Sequence, residues 1–279
     1  MRRHLHILLL SILIVPLSAQ SQRWLEHSEI GCSIGGMNYI GDLNNQTVFG
    51  KVHLGYGGFV RYKIDPRWAI AVGGSYGMVS GGNPDWIQRR NLSFSSPIWE
   101  GYARAEFNYQ PFGLKGKSFP WSTFLFAGIG VFGFNPSATY IDNTGESHSC
   151  ELRPLGTEGQ GSTMYPDRKM YRLTQLMMPF GIGIRYRPSK SLYLTMEYGF
   201  RKTWTDYIDD VSTTYVDPAC LSGEGLLLYD RTYELEEGYH NPIGSRRGDD
   251  SLKDWYAYFN ISISISTEFL FGWMRKKRC

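Results

Sequence analysis

From residue 28 onward this chain returns again and again to a period of two, with faces of opposite character. The clearest stretch is Asp254 to Phe269. Trp255, Ala257, Phe259, Ile261, Ile263, Ile265 and Phe269 fall on one face, and Tyr256, Tyr258, Asn260, Ser262, Ser264, Ser266 and Glu268 on the other. Side chains alternate in this way across a strand, whereas a helix would group positions three and four apart. Ser191 to Thr203 repeats the pattern, with Leu192, Leu194, Met196, Tyr198 and Phe200 opposite Thr195, Glu197, Gly199, Arg201 and Thr203. So do Leu176 to Arg187 and Ser96 to Pro111. Weaker versions at Ser28 to Ile40, Lys51 to Ile64, Arg67 to Val79 and Trp121 to Phe134 bring the total to eight, an even number.

The connections alternate short and long. Asp65 to Arg67 and Pro188 to Lys190 are tight turns, and Pro111 to Pro120 is of medium length. Gly41 to Gly50, Ser80 to Ser95, Asn135 to Tyr171 and Trp204 to Lys253 are the long ones. This asymmetry predicts an all-β chain: an eight-stranded antiparallel outer-membrane β-barrel with short periplasmic turns and long extracellular loops. Trp68, Trp99, Trp121, Trp204, Trp255 and Trp273 fall at or near strand boundaries, where amphipathic rings suit the membrane–water interface. A soluble barrel or sandwich would show the same alternation with its apolar face inward. The polar face decides between them. Glu100, Arg104, Glu106, Arg185, Glu197 and Arg201 lie on it in neighbouring strands and are expected to pair as an internal network while the apolar face meets outer-membrane lipid.

The N-terminus is expected to be a signal peptide, residues 1–19. Arg2 and Arg3 form its basic start, Leu8 to Val15 its short apolar run, and Ser18-Ala19 its small-residue cleavage site. The barrel would occupy 20–271 and a basic periplasmic tail 272–279. That tail offers Arg275, Lys276, Lys277, Arg278 and Cys279 either to anionic lipid groups or to an acidic patch on a membrane-tethered partner. The even strand number puts both chain ends on the short-turn side. The 29 basic residues against 26 acidic ones leave too little charge for a nucleic-acid binder. An aromatic share of 15% excludes disorder. Four cysteines in an exported chain allow three full pairings; the expected link is Cys150 to Cys220, in the two longest loops on one side.

No catalytic, metal or cofactor set is expected. His27, His53, His148 and His240 have no neighbour at ligand or general-base spacing in the sequence. Asp206, Asp209 and Asp210 form an acidic cluster open to two readings, a calcium site or a solvated loop with contacts to Arg201 and Lys202. The glycines of Pro154 to Gly161 lack the strand–loop–helix setting of a phosphate cradle. An eight-stranded barrel is just wide enough for side chains to fill, which disfavours transport through the lumen.

Several segments lie in a recognisable order: RNLSFSSPI (90–98), FAGIGVFGFNP (126–136), PLGTEGQG (154–161), YRLTQLMMPFGIGIRYR (171–187), RKTWTDYIDDVSTTYVD (201–217) and Asp254-Trp255-Tyr256. Together they resemble the PorG-like (DUF6089) family of Bacteroidota outer-membrane proteins over essentially the whole mature chain. The resemblance implies a non-catalytic component of the type IX secretion system, associated with a periplasmic ring of PorK and PorN proteins, and in gliding species a link to motility. The alternative function is a surface barrel whose long loops bind an external ligand or host surface. A small pore or a barrel enzyme is the third.

Overall fold

The structure, a computed structural model, describes residues 24–44, 50–82, 90–113, 119–142 and 144–271. The leader at 1–19 and the tail at 272–279 lie outside the described residues. Ten strands follow in order: β1 (Ser28–Ile40), β2 (His53–Lys63), β3 (Trp68–Gly81), β4 (Phe94–Asn108), β5 (Trp121–Phe134), β6 (Ser137–Ile141), β7 (Ser147–Glu151), β8 (Thr174–Tyr186), β9 (Leu192–Thr203) and β10 (Trp255–Ser266). Two short helices are α1 (Glu224–Leu228) and α2 (Thr267–Phe271).

Eight of the strands close a ring. Each pairs antiparallel with its neighbours from β1 through β5, then β8, β9 and β10, and β10 pairs back onto β1 from Ile40↔Trp255 to Glu29↔Ser266. Closure satisfies every ladder within the sheet and leaves the barrel no edge, the condition for a sheet to cross lipid. The remaining strands, β6 and β7, form a hairpin that joins the ring by a single bridge, Ser95↔Ser137.

Burial in the barrel is inverted relative to a soluble protein. Ile34, Leu125, Ile129, Leu176 and Ile261 are 54–75% exposed on the outside, while Arg61, Glu106 and Arg185 are fully buried within. Leaving one such aliphatic side chain in water forfeits about 1.5–3 kcal/mol, so a belt of them requires lipid. Among the described residues no helix is long and apolar enough to cross a membrane. Trp68, Trp121, Trp204 and Trp255 stand at strand ends, and Phe180, Phe200, Tyr198 and Trp255 form an outer cluster with ring centroids 5.0–5.8 Å apart. Trp99 departs from the expected placement: β4 begins at Phe94, so this ring sits inside the strand. Phe269 departs too, because the strand pattern stops at Ser266 and α2 takes over.

The two rims are built differently. At the short-turn rim, Asp65 accepts from the amides of Arg67 and Trp68 at 2.6 and 2.8 Å and closes the β2–β3 turn. The two ends of the described chain meet at this rim, where Thr267 donates to the Leu25 carbonyl at 2.8 Å. At the other rim the long connections fold into a dome. One apolar cluster runs from the barrel residues Met37, Ile98, Phe132 and Tyr256 into the loop residues Leu152, Ile208 and Leu228.

Candidate functional site

The lumen is filled by ion pairs in two tiers. In the tier toward the short turns, Glu106 accepts from three guanidinium groups: Arg61 Nε at 2.6 Å, Arg185 Nη2 at 2.7 Å and Arg104 Nε at 3.0 Å. Arg104 also grips Glu197 with both terminal nitrogens, at 2.7 and 2.9 Å. Arg61 reaches on to Glu29 at 2.5 Å, with Lys63 3.7 Å from the same carboxylate. In the tier toward the dome, Arg201 donates to both oxygens of Glu100, which also accepts from Tyr256 at 2.8 Å and Ser75 at 2.9 Å. The structure thus places all six sequence-identified charges inside the barrel, divided between two groups. The six charges were expected on neighbouring strands, but β5 separates β4, which carries Glu100, Arg104 and Glu106, from β8 and β9; apart from the same-strand contact of Arg104 with Glu106, their ion pairs therefore cross the lumen. Glu29, Arg61 and Lys63 were missed. They occupy inward positions of the weakly patterned β1 and β2, where glycines on both faces dilute the alternation.

Aromatic rings hold these guanidinium groups in place. β5 turns Phe124, Phe126, Phe132 and Phe134 inward, and Arg185 lies 4.2 Å from the centroid of Phe124 while Arg104 lies 4.2 Å from that of Phe126. Such stacking suits arginine, whose planar cation is weakly hydrated. Room for the rings comes from glycine. A Cβ at Gly183 would lie 2.5 Å from Phe124, and one at Gly199 2.7 Å from Phe126.

The dome is organised by a second buried polar network, and it brings together two motifs far apart in sequence. Glu158 of PLGTEGQG is fully buried and accepts from the Ser212 and Thr213 amides, the Thr213 hydroxyl and Arg247 Nη1, at 2.7–3.1 Å. Its neighbour Thr157 donates to Asp210 at 2.5 Å, and Tyr171 donates to the same carboxylate at 2.7 Å. Arg247 closes the circuit on the Asp210 carbonyl at 2.6 Å, and Arg168 ties the Glu158 carbonyl to the Thr214 hydroxyl. Asp210 holds a left-handed φ of 64°, alone among described non-glycine residues, and these contacts fix it there.

The three aspartates take separate partners. Asp206 accepts from the Ser212 hydroxyl and Asp209 from Tyr39, while Asp210 faces Arg247. Tyr39 touches Asp209 at 2.7 Å and Asp254 at 2.5 Å. Its hydroxyl has one proton to give, so one of the two carboxyls keeps its own proton and donates to the tyrosine oxygen. Burial pushes both aspartates well above the usual carboxylate range, and their mutual repulsion adds to it at Asp254. Burial also raises Asp206 to about 7 and Asp210 to about 6, the latter against the pull of Arg247.

The expected Cys150–Cys220 link is not formed; both thiols are free. Cys150 sits in β7 against the main apolar cluster and beside Glu224, whereas Cys220 packs against Tyr215, Val216 and Tyr229 and beside Ser162. Cys32 does not lie at a rim but faces outward in mid-strand, opposite Gly58 and Ile263. His148 has the neighbours that sequence spacing did not suggest: at the β6–β7 tip it lies 2.9 Å from Asp142, with Glu146 close by. Asp142 is already engaged by the Thr144 hydroxyl and the Thr144 and Glu146 amides, as a turn-forming aspartate is.

A closed ring of eight strands, apolar without and ion-paired within, defines an outer-membrane-type β-barrel. The chain belongs to the family described as Domain of unknown function (DUF6089), whose family model matches residues 2–154. No curated protein matches it. Among solved structures it is similar to the attachment invasion locus protein Ail of Yersinia pestis, at 11% identity and a TM-score of 0.36, covering 86% of this chain and 98% of that one. Neisserial surface protein A is similar at 9% identity and a TM-score of 0.40, covering 86% and 96%. The N-terminal barrel domain of Pseudomonas aeruginosa OprF is similar at 11% identity and a TM-score of 0.30, covering 85% and 96%.

Proposed function

We propose that this chain is a non-catalytic component of the type IX protein secretion machinery in the cell outer membrane, where it anchors a periplasmic ring of PorK- and PorN-like proteins. The observation that carries the reading is the filled lumen. Among the described residues Arg61, Arg104, Arg185 and Arg201 are locked onto buried carboxylates across the lumen, which supports a barrel that is neither a channel nor an enzyme. A barrel of that kind works through its rims. The resemblance to PorG-like proteins supports this choice of assembly. In this reading the basic tail Arg275, Lys276, Lys277, Arg278 and Cys279 docks the ring beside the short-turn rim, where Thr267 meets Leu25.

Affinity purification from detergent-solubilised outer membranes tests this: periplasmic ring lipoproteins are expected to co-purify. Truncation after Phe271 is expected to leave a folded barrel while ring recovery and protein export fall. Recovery of external ligands without ring proteins would instead support the second reading, a surface-binding barrel, which the ordered dome favours.

A further inference from the structure

The β6–β7 hairpin has two edges, and they are treated differently. Leu152 donates its amide to the Pro136 carbonyl and Asp142 donates to Glu146, which fixes the hydrogen-bonded pairs of the hairpin at alternate positions. Thr139 therefore points its backbone groups away from β7, and Ser147, Ser149 and Glu151 point theirs away from β6. The β6 edge is covered: Arg231, held by Glu234 at 2.7 Å, donates to the Thr139 carbonyl at 3.0 Å, and Ser137 bridges to β4. The β7 edge is open. Among the described residues nothing pairs with the outward amides and carbonyls of Ser147, Ser149 and Glu151, and all three residues are exposed. β7 also lacks the lysine, proline or bulge with which proteins usually blunt such an edge.

We propose that β7 is a docking strand at the long-loop rim, which adds an extended basic polypeptide segment to the hairpin as a third strand. The backbone specifies an extended chain, because three outward amide and carbonyl sets at a two-residue spacing match only another strand. The charge specifies its sign. Ser137 to Glu151 contains Asp142, Glu146 and Glu151 and no lysine or arginine. A second copy of the hairpin would bring the same acids and no lysine or arginine to meet them, so it lacks the charge that complements this edge. The site lies on the opposite rim from the proposed ring contact, so it is independent of that reading.

The probe is a short synthetic peptide of alternating lysine and valine, offered to the full-length protein in lipid nanodiscs. Binding is expected to slow amide exchange at Ser147, Ser149 and Glu151. The same peptide N-methylated at alternate residues keeps its charge but cannot extend the ladder, and it is expected to bind at least tenfold more weakly, as is a glutamate–valine peptide. Ser149→Pro removes the central outward amide without touching the β6 ladder, and it is expected to reduce binding by a similar factor. A variant carrying Glu146→Gln and Glu151→Gln keeps the open edge and is expected to lose the charge preference alone, which separates a lost edge from a misfolded hairpin. Equal binding of the methylated peptide, unchanged exchange at the three amides, or dimerisation of the free protein through β7 would each overturn the proposal.

Discussion

Glu106 is the residue on which the lower tier depends. It is fully buried and faces Arg61, Arg185 and Arg104 at once, so its removal leaves three guanidinium groups turned toward one another in a site without water-exposed atoms. Breaking one partner of a buried pair typically costs about 3–5 kcal/mol. Glu106→Ala is therefore expected to lower the temperature at which the folded band is lost on detergent electrophoresis, with Glu106→Gln between it and the native protein. At Glu197 the loss should be smaller, because Arg104 keeps its contact with Glu106 at 3.0 Å. Equal heat resistance of all three forms would show that the lumen is hydrated enough to carry the charges unpaired. Asp206 makes a prediction of the opposite sign. Its folded value of about 7 lies above the ~3.9 of an unfolded aspartate. Its proton therefore contributes stability that is complete below about 4 and is lost as pH rises to about 7, with Asp210 adding a loss that is complete by about 6. Limited proteolysis of the dome should accelerate from about pH 4 to about pH 7, relative to an unfolded control substrate, and level off above that, and Asp206→Asn should flatten the upper part of that rise.

Among the elements, legibility in the sequence followed the contrast between faces. β10 sets isoleucines against serines and could be read to within a few residues, whereas β5 has phenylalanine inside and leucine, isoleucine and valine outside, which hides its alternation. The reason is chemical: arginine stacks on aromatic rings, so an inward phenylalanine is as much part of the ionic lumen as an inward glutamate. The dome was hidden for another reason. Glu158 and Asp210 lie in glycine- and aspartate-rich stretches that look like solvated loops, and only the fold shows that Arg247, from a third segment, neutralises them. No periodicity marks such a contact. The disulfide expectation failed likewise, because sharing a rim does not place two thiols in one cluster. Glu158→Ala should release the Ser212 and Thr213 amides and strand Arg247, opening the dome to protease while the barrel keeps its heat-resistant mobility on gels. If both were lost together, dome and barrel would fold as one unit.

For the molecule as a whole, the inverted burial fixes where the membrane lies, and Cys32 reports on it. The residue alternates with Ile30 and Ile34 on the outer face of β1 and sits opposite Gly58 and Ile263, near the middle of the apolar belt. Its thiol therefore faces lipid. The free thiols of Cys150 and Cys220 belong to the dome, above the belt. A thiol in hydrocarbon is shielded from water and from charged reagents. With Cys150, Cys220 and Cys279 replaced by serine, Cys32 in bilayers should resist a charged, membrane-impermeant maleimide and react with a small lipid-soluble one. Both reagents should label it once the protein is unfolded in denaturant. Moving the thiol along the same face gives a profile of the belt: Ile30→Cys, toward the short-turn rim, and Ile34→Cys, toward the dome, should share the protection, whereas Arg67→Cys, in the β2–β3 turn, should label freely from the aqueous side. Rapid labelling of Cys32 by the charged reagent in intact bilayers would place this face in water, and the membrane assignment of the barrel would fall with it.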